Sequence, residues 1–175
     1  MTVQQTDIIK AIKDRLGAAA QSVEEMKNND IMVVVEKDSL VQAMHTLKTG
    51  EGLRFTTLMN QLGADYRDSL AVIYNLYSPT LRQKVTVKAF LDREQPEVHS
   101  LDNLFRGINW YERETYDMLG IRFAGHNNLK RLLLPEDWSG FPLRKDYVYP
   151  ESYGGIETGR TDLLDNPISA GKSHV

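Results

Sequence analysis

Between residues 53 and 91, three strand-like segments follow one another with connectors too short for any crossover. They are 53–62, 69–77 and 82–91. The linkers, Gly63-Ala-Asp-Tyr-Arg-Asp68 and Ser78-Pro79-Thr80, are rich in turn formers. Parallel neighbours need a dozen or more connecting residues, so segments this close predict an antiparallel meander. The third alternates best, with Val85, Val87 and either Ala89 or Phe90 set against Thr86 and Lys88.

Upstream, Ile31-Met-Val-Val-Val35 is β-branched and apolar, which reads as a strand buried on both faces. Residues 23–26 suggest a shorter one. Two helical patterns alternate with these strands. Thr6 stands as an N-cap before Ile8, Ile9, Ile12 and Leu16, and Gly17 ends the run. Asp38 or Ser39 caps a second helix with Leu40, Val41, Met44 and Leu47 on one face, and Gly50 lies just beyond it. The predicted class is α+β: a mostly antiparallel sheet covered by helices.

After Pro96 the pattern changes. Residues 100–106 supply one or two helical turns. Asn109 to Leu119 predicts a C-terminal helix, with Asn109 and Glu112 at capping-box spacing and Gly120 suited to the C′ position. Beyond Gly120 there is little periodicity, and Pro135, Pro142, Pro150 and Pro167 interrupt the chain. The stretch 154–159 is glycine-rich and reads as a flexible loop. Trp138, Phe141, Tyr147, Tyr149 and Tyr153 are too many aromatics for a solvated tail; they need a surface of this chain or of a partner. The predicted organisation is an α+β domain over 1–120 and a long irregular, extended docking segment over 121–175.

Composition narrows the chemistry. The 175 residues include no cysteine, which excludes disulfides, thiolate nucleophiles, cysteine zinc sites and ordinary iron–sulfur clusters in this chain. With 21 basic and 24 acidic residues, the net charge is −3 and offers no footprint for nucleic acid. The longest apolar runs, 31–35 and 70–74, fall far short of the roughly 20 residues that span a bilayer. The charged N-terminus has no signal-peptide core, so a soluble intracellular protein is expected. Of His45, His99, His126 and His174, the closest two are 27 residues apart, so no local metal-ligand pair exists. Phosphate-loop, dinucleotide and serine-elbow motifs do not occur.

Charge is densest at Glu112-Arg113-Glu114 with Asp117. Helical phase puts Trp110, Glu114 and Asp117 on one face and Ile108, Tyr111, Thr115, Met118 and Leu119 on the other, with Glu112 at the edge. Arg113 and Asp117 form an i,i+4 pair. From 112 to 146 the chain carries six acidic and six basic residues. A solvated face and an ion-pair network holding the irregular segment or a partner both fit this balance. A free-standing enzyme using Glu112, Glu114 and Asp117 is a third reading, disfavoured because their phases diverge.

The stretch Trp110-Tyr-Glu-Arg-Glu-Thr-Tyr-Asp-Met-Leu-Gly-Ile121 resembles the signature of the NuoC/NdhJ family, the thirty-kilodalton subunit of respiratory complex I and its photosynthetic relatives. The similarity continues through His126, Lys130, Arg131, Leu132 and Leu133. It covers a second hallmark from Leu134 to Tyr147, which includes Pro135, Trp138, Pro142, Leu143, Arg144, Lys145 and Asp146. Asn127 departs from it where the family usually has proline.

The resemblance implies a non-redox scaffolding subunit of the peripheral arm of an NAD(P)H- or ferredoxin-quinone oxidoreductase. It implies docking onto a NuoD/NdhH-like large subunit, with no cofactor in this chain. Iron–sulfur clusters and quinone would belong to partners, and flavin only to an NADH-oxidising module. Membrane association would come only through the complex, on the cytoplasmic or stromal face. The signature residues would form the interface, with Trp138, Phe141 and the tyrosines as anchors. An accessory subunit of a membrane-bound energy-converting hydrogenase is the alternative.

Overall fold

The computed structural model describes residues 3–27 and 30–157. Helix α1 (Val3–Leu16) leads through a 3-10 turn to β1 (Ala20–Glu25) and β2 (Ile31–Val35), followed by α2 (Leu40–Thr49). Three long strands come next: β3 (Thr57–Asp65), β4 (Ser69–Ser78) and β5 (Gln83–Asp92). Then follow β6 (Glu97–His99), α3 (Ile108–Leu119), β7 (Arg122–Ala124) and a small hairpin of β8 (Ser152–Tyr153) and β9 (Ile156–Glu157). The fold is α+β.

The main sheet has the order β1-β2-β5-β4-β3. The meander predicted for residues 53–91 is present, antiparallel throughout. The β2–β5 pair is parallel. The chain leaves β2 through α2 and two strands before β5 returns beside it, a connection long enough for a parallel neighbour. Register places Leu70, Val72, Tyr74 and Leu76 beside Leu91, Ala89, Val87 and Val85, and Ile31, Val33 and Val35 continue the same face across β2. These side chains are buried. Ile8, Ile12 and Leu16 of α1 and Leu40, Ala43, Met44 and Leu47 of α2 close over them.

Several expected details differ. Strand β2 alternates buried and half-buried residues, so it is not buried on both faces. Ala89, not Phe90, is the inward residue of β5. Val41 is exposed beside its buried neighbour Leu40. Thr6 lies inside α1, and α2 follows a 3-10 turn over Lys37–Ser39 with no side-chain cap. Residues 100–106 form turns closed by the N–H groups of Leu104 and Phe105 on the Leu101 carbonyl.

The first linker is shorter than expected because β3 runs through Gly63 to Asp65. A Cβ at Gly63 would lie 2.4 Å from Leu119 Cδ1 and 2.8 Å from Thr115 Cγ2. Glycine is there so that α3 can lie directly on β3, not to make a turn. The turn itself closes on Asp65, whose Oδ1 accepts the Arg67 N–H at 2.7 Å.

Two short strand pairs carry no period and were not legible. Strands β6 and β7 form a separate parallel pair, and Ile121 and Phe123 join the hydrophobic core, so the folded body extends past Gly120. Gly154 and Gly155, both at positive φ, make the two-residue turn between β8 and β9 in place of a flexible loop. The end of that stretch, from residue 158, and the chain on to residue 175 with Pro167 and His174 lie outside the described residues.

Candidate functional site

Helix α3 is the centre of the charged signature. Gly107, at φ 86°, precedes it and no side chain caps it. The expected capping box is absent: Asn109 Nδ2 donates to Asp102 Oδ2 at 3.1 Å, and Glu112 is committed elsewhere. Gly120 ends the helix at φ 73°, as its position suggested, donating to the Tyr116 carbonyl at 2.8 Å.

Glu112 is fully buried. Its carboxyl accepts the Leu101 N–H at 2.8 Å and the Ser100 hydroxyl at 2.6 Å, tying the 100–106 turns to the helix. Burial pushes its pKa up to about 7; the bonds from Leu101 and Ser100 only partly oppose this, and Asp102 adds to it. His126, with its side chain buried, accepts the Asn128 N–H on Nδ1 at 3.0 Å. That leaves the ring proton on Nε2, 3.2 Å from the Asn109 carbonyl and 4.0 Å from Glu112 Oε2.

Asp117 is buried as well, on the flank of the helix that the tail covers. Its Oδ2 accepts three consecutive backbone N–H groups, those of Leu132, Leu133 and Leu134, at 3.0, 2.7 and 2.9 Å. Its Oδ1 accepts Arg131 at 2.8 Å. Burial alone would raise the Asp117 pKa, but the bonds from Leu134, Arg131, Leu132 and Leu133 together hold it below the usual carboxylate range. The expected Arg113–Asp117 pair does not form. Arg113 instead donates to the Lys130 and Arg131 carbonyls and lies over the Trp110 ring, 5.0 Å from its centroid.

Helical phase groups Asp117 with the exposed Glu114 only if the helix has a single buried face. Helix α3 has two: β3 covers one side and the returning tail covers another. Arg131 continues the wrap by donating to the Trp138 and Gly140 carbonyls at 2.8 and 3.1 Å. Arg144 donates to the Leu119 carbonyl at 2.8 Å, satisfying an orphan at the helix end, and its guanidinium lies over Phe141. Phe141 packs so close to Gly120 that a Cβ there would sit 2.5 Å from Phe141 Cε2.

A second clamp lies at the sheet edge. Asp65 accepts Arg93 at 2.7 Å and the Lys145 N–H at 2.8 Å, and Arg93 also binds Asp146 at 2.6 Å. These bonds outweigh burial and hold the Asp65 pKa well below the usual range. The tail aromatics pack within the chain: Trp138 against Tyr153 at 5.0 Å, Tyr147 against Tyr149 at 4.9 Å, and Phe141 against Tyr116 at 6.4 Å. Pro142 is half-buried. Lys130, Pro135 and Lys145 enter the network through their backbones while their side chains stay at the surface.

The structure therefore ties Glu112 to Ser100 and Leu101 with His126 nearby at 4.0 Å, and joins Arg113, Asp117, Arg131 and Arg144 around the tail. Glu114 stands outside both groups, and Trp110 touches the second only through the Arg113 guanidinium. Sequence reasoning missed Ser100, Asp65 and Arg93. Their partners lie 12, 80 and 53 residues away in the chain, beyond the reach of any local pattern. Among the described residues, no three His, Cys, Asp or Glu side chains are grouped to hold a metal ion. No helix among them is long and apolar enough to cross a membrane.

Sheet, helices and signature helix together match solved folds. The trypsin-resistant fragment of Nqo5 superposes with a TM-score of 0.61 at 23% identity, covering 73% of this chain and all of that one. A chain of the membrane-bound sulfane sulfur reductase, an archaeal respiratory membrane complex, gives 0.71 at 18% identity over 82% of this chain and 85% of its own length.

The sequence model of the family described as the respiratory-chain NADH dehydrogenase 30 Kd subunit matches residues 33–153, and the chain belongs to that family. The NADH-quinone oxidoreductase C subunit of Chloroherpeton thalassium is 40% identical over 153 residues, which are 85% of this chain but 62% of that protein. Its counterpart of the same name in a Roseiflexus species is 38% identical over 83% of this chain and 85% of its own length. The NAD(P)H-quinone oxidoreductase J subunit of a Synechococcus strain is 62% identical over 72 residues, covering 41% of this chain and 40% of its own length.

Proposed function

We propose that this chain is a scaffolding subunit in the peripheral arm of a quinone-reducing complex of the complex I type. In this reading it docks on a NuoD/NdhH-like large subunit and carries no redox group or catalytic residue itself. Iron–sulfur clusters and quinone then reside on partner chains, and flavin only on an NADH-oxidising module. The arm sits on the cytoplasmic or stromal side, and this chain meets the membrane only through the complex.

One observation carries the reading. The segment after α3 is irregular, yet it is held in a single shape by buried charge from Asp117, Arg131, Arg144 and the Asp65–Arg93 pair. An extended surface fixed in this way loses little conformational freedom on association, which favours docking. The backbone and hydroxyl donors that hold Glu112 and Asp117 favour a structural role for both. The relatives' names weigh toward the quinone oxidoreductase over the hydrogenase alternative.

The test is purification of the tagged full-length chain from solubilised native membranes, with native gels and mass spectrometry. Cluster-bearing subunits of a quinone oxidoreductase should co-purify, and Arg144→Ala should lower their yield. A chain recovered alone would overturn the proposal. A partner with nickel-binding cysteines would move the chain to the hydrogenase assembly.

A further inference from the structure

We infer that the outward stripe of α3, together with the dimple between α3 and β3, receives a partner segment that presents a lysine or arginine among aliphatic side chains. The inference rests on the chain being an assembly subunit and assigns the residues and the chemistry of one contact.

Trp110, Glu114 and Met118 recur at every fourth position, so they form one stripe along the helix. The indole of Trp110 is 59% exposed, and the Arg113 guanidinium stacked on it fixes its orientation. Leu143, 60% exposed, is held against the other end of the stripe by its N–H bond to the Met118 carbonyl at 3.0 Å. Between them, Leu62, Gly63, Met118 and Leu143 wall a dimple of about 100 Å³ with Glu114 at its rim. The absent side chain at Gly63 helps to keep it open. The tail aromatics are already spent on intramolecular packing, whereas Trp110 and Leu143 stay exposed on either side of the dimple. A rigid tryptophan beside a concave aliphatic pocket is the pattern of an interface anchor.

Two polar groups say what should enter. Glu112 and Asp117 are saturated, whereas Glu114 makes no hydrogen bond or ion pair among the described residues. Arg113 is committed to the Lys130 and Arg131 carbonyls, so it does not serve Glu114. Covering the stripe with a neutral surface would strand that carboxylate; a cationic side chain in an aliphatic setting would satisfy it. Gln61 lines the dimple, its Oε1 bound by Thr115 at 3.2 Å, and its Nε2 is buried without an acceptor. A carbonyl oxygen of an inserted segment would supply one.

The experiment uses the full chain expressed in place of the native gene. Glu114→Lys and Leu143→Asp should leave the melting temperature of the isolated chain unchanged. Each should lower the fraction found in the assembled complex by about tenfold or more. A photo-crosslinking residue at Leu143 in the intact wild-type complex should capture, from another subunit, a peptide with Lys or Arg beside aliphatic residues. Assembly at wild-type levels in both variants overturns the inference. So do crosslinks to a second copy of this chain, to a peptide without a basic residue, or to nothing. If the tagged wild-type chain brings down no partners, the scaffolding reading itself has failed. Normal co-purification with normal variant assembly removes only this contact.

Discussion

Replacing Asp117 should release the tail without unfolding the sheet. In the wild type, one buried carboxylate serves four donors: Arg131 and three successive backbone N–H groups. Hydrogen bonds to a charged group contribute about 1.5–3 kcal/mol each, but bonds sharing one acceptor do not add. Removing one partner of a buried charged pair costs about 3–5 kcal/mol, because the other groups stay desolvated and unpaired. At about 1.4 kcal/mol per tenfold, Asp117→Ala should raise the population of the opened tail by roughly a hundredfold to a few thousandfold.

The assay is limited trypsin digestion under native conditions, following cleavage after Arg144 and Lys145 by mass spectrometry. Where closing outpaces cleavage, the rate reports that population. Asp117→Asn should behave almost as badly despite its shape. Its amide sets an N–H donor either against the three backbone donors or against Arg131. Glu136→Ala, at an exposed tail position, is the control. An Asn variant cleaved within about fivefold of wild type would refute the view that negative charge at this position closes the tail.

Glu112 should give the opposite pH dependence from the aspartates. Its folded pKa, about 7, is raised from 4.5, so the folded state binds more protons and stability falls as pH rises through that window. The loss is about 3 kcal/mol at most, and Glu112→Gln should abolish it; urea unfolding at pH 5 and 8 compares the two. An unchanged pH profile in the variant would contradict the assignment. Asp65 and Asp117, with depressed values, contribute stability present above their ordinary pKa of 3.8 and lost as pH falls below it. Tail cleavage by an acid-active protease should therefore accelerate in that range. Gly63→Ala should cost about 1–3 kcal/mol by forcing α3 off β3, read as a lower midpoint in thermal unfolding. Arg93→Ala should speed hydrogen exchange at the Lys145 amide by about tenfold or more while leaving Leu132 to Leu134 protected.

The division between sequence and tertiary structure follows the range of the forces involved. Local sequence was sufficient for the meander, because turn residues and alternation act between neighbours. It was also sufficient for the run of α3 and for Gly120 at its end, where only a residue tolerant of positive φ fits. The absence of cysteine excluded disulfides and cysteine-ligated metals or clusters in this chain and nothing further. The signature residues could be picked out as a group, but their roles could not.

Whether Glu112 caps a helix or binds Ser100, and whether Asp117 meets Arg113 or Arg131, depends on where a non-periodic tail returns. The i,i+4 pair is worth only about 0.2–0.5 kcal/mol and yields to a buried carboxylate surrounded by four donors. Gly63 looked like a turn because glycine signals a missing side chain, not the reason for its absence. Only the packing of α3 on β3 supplied the reason. Tertiary structure likewise decided that Glu114 alone of the three signature carboxylates would be left without a partner among the described residues.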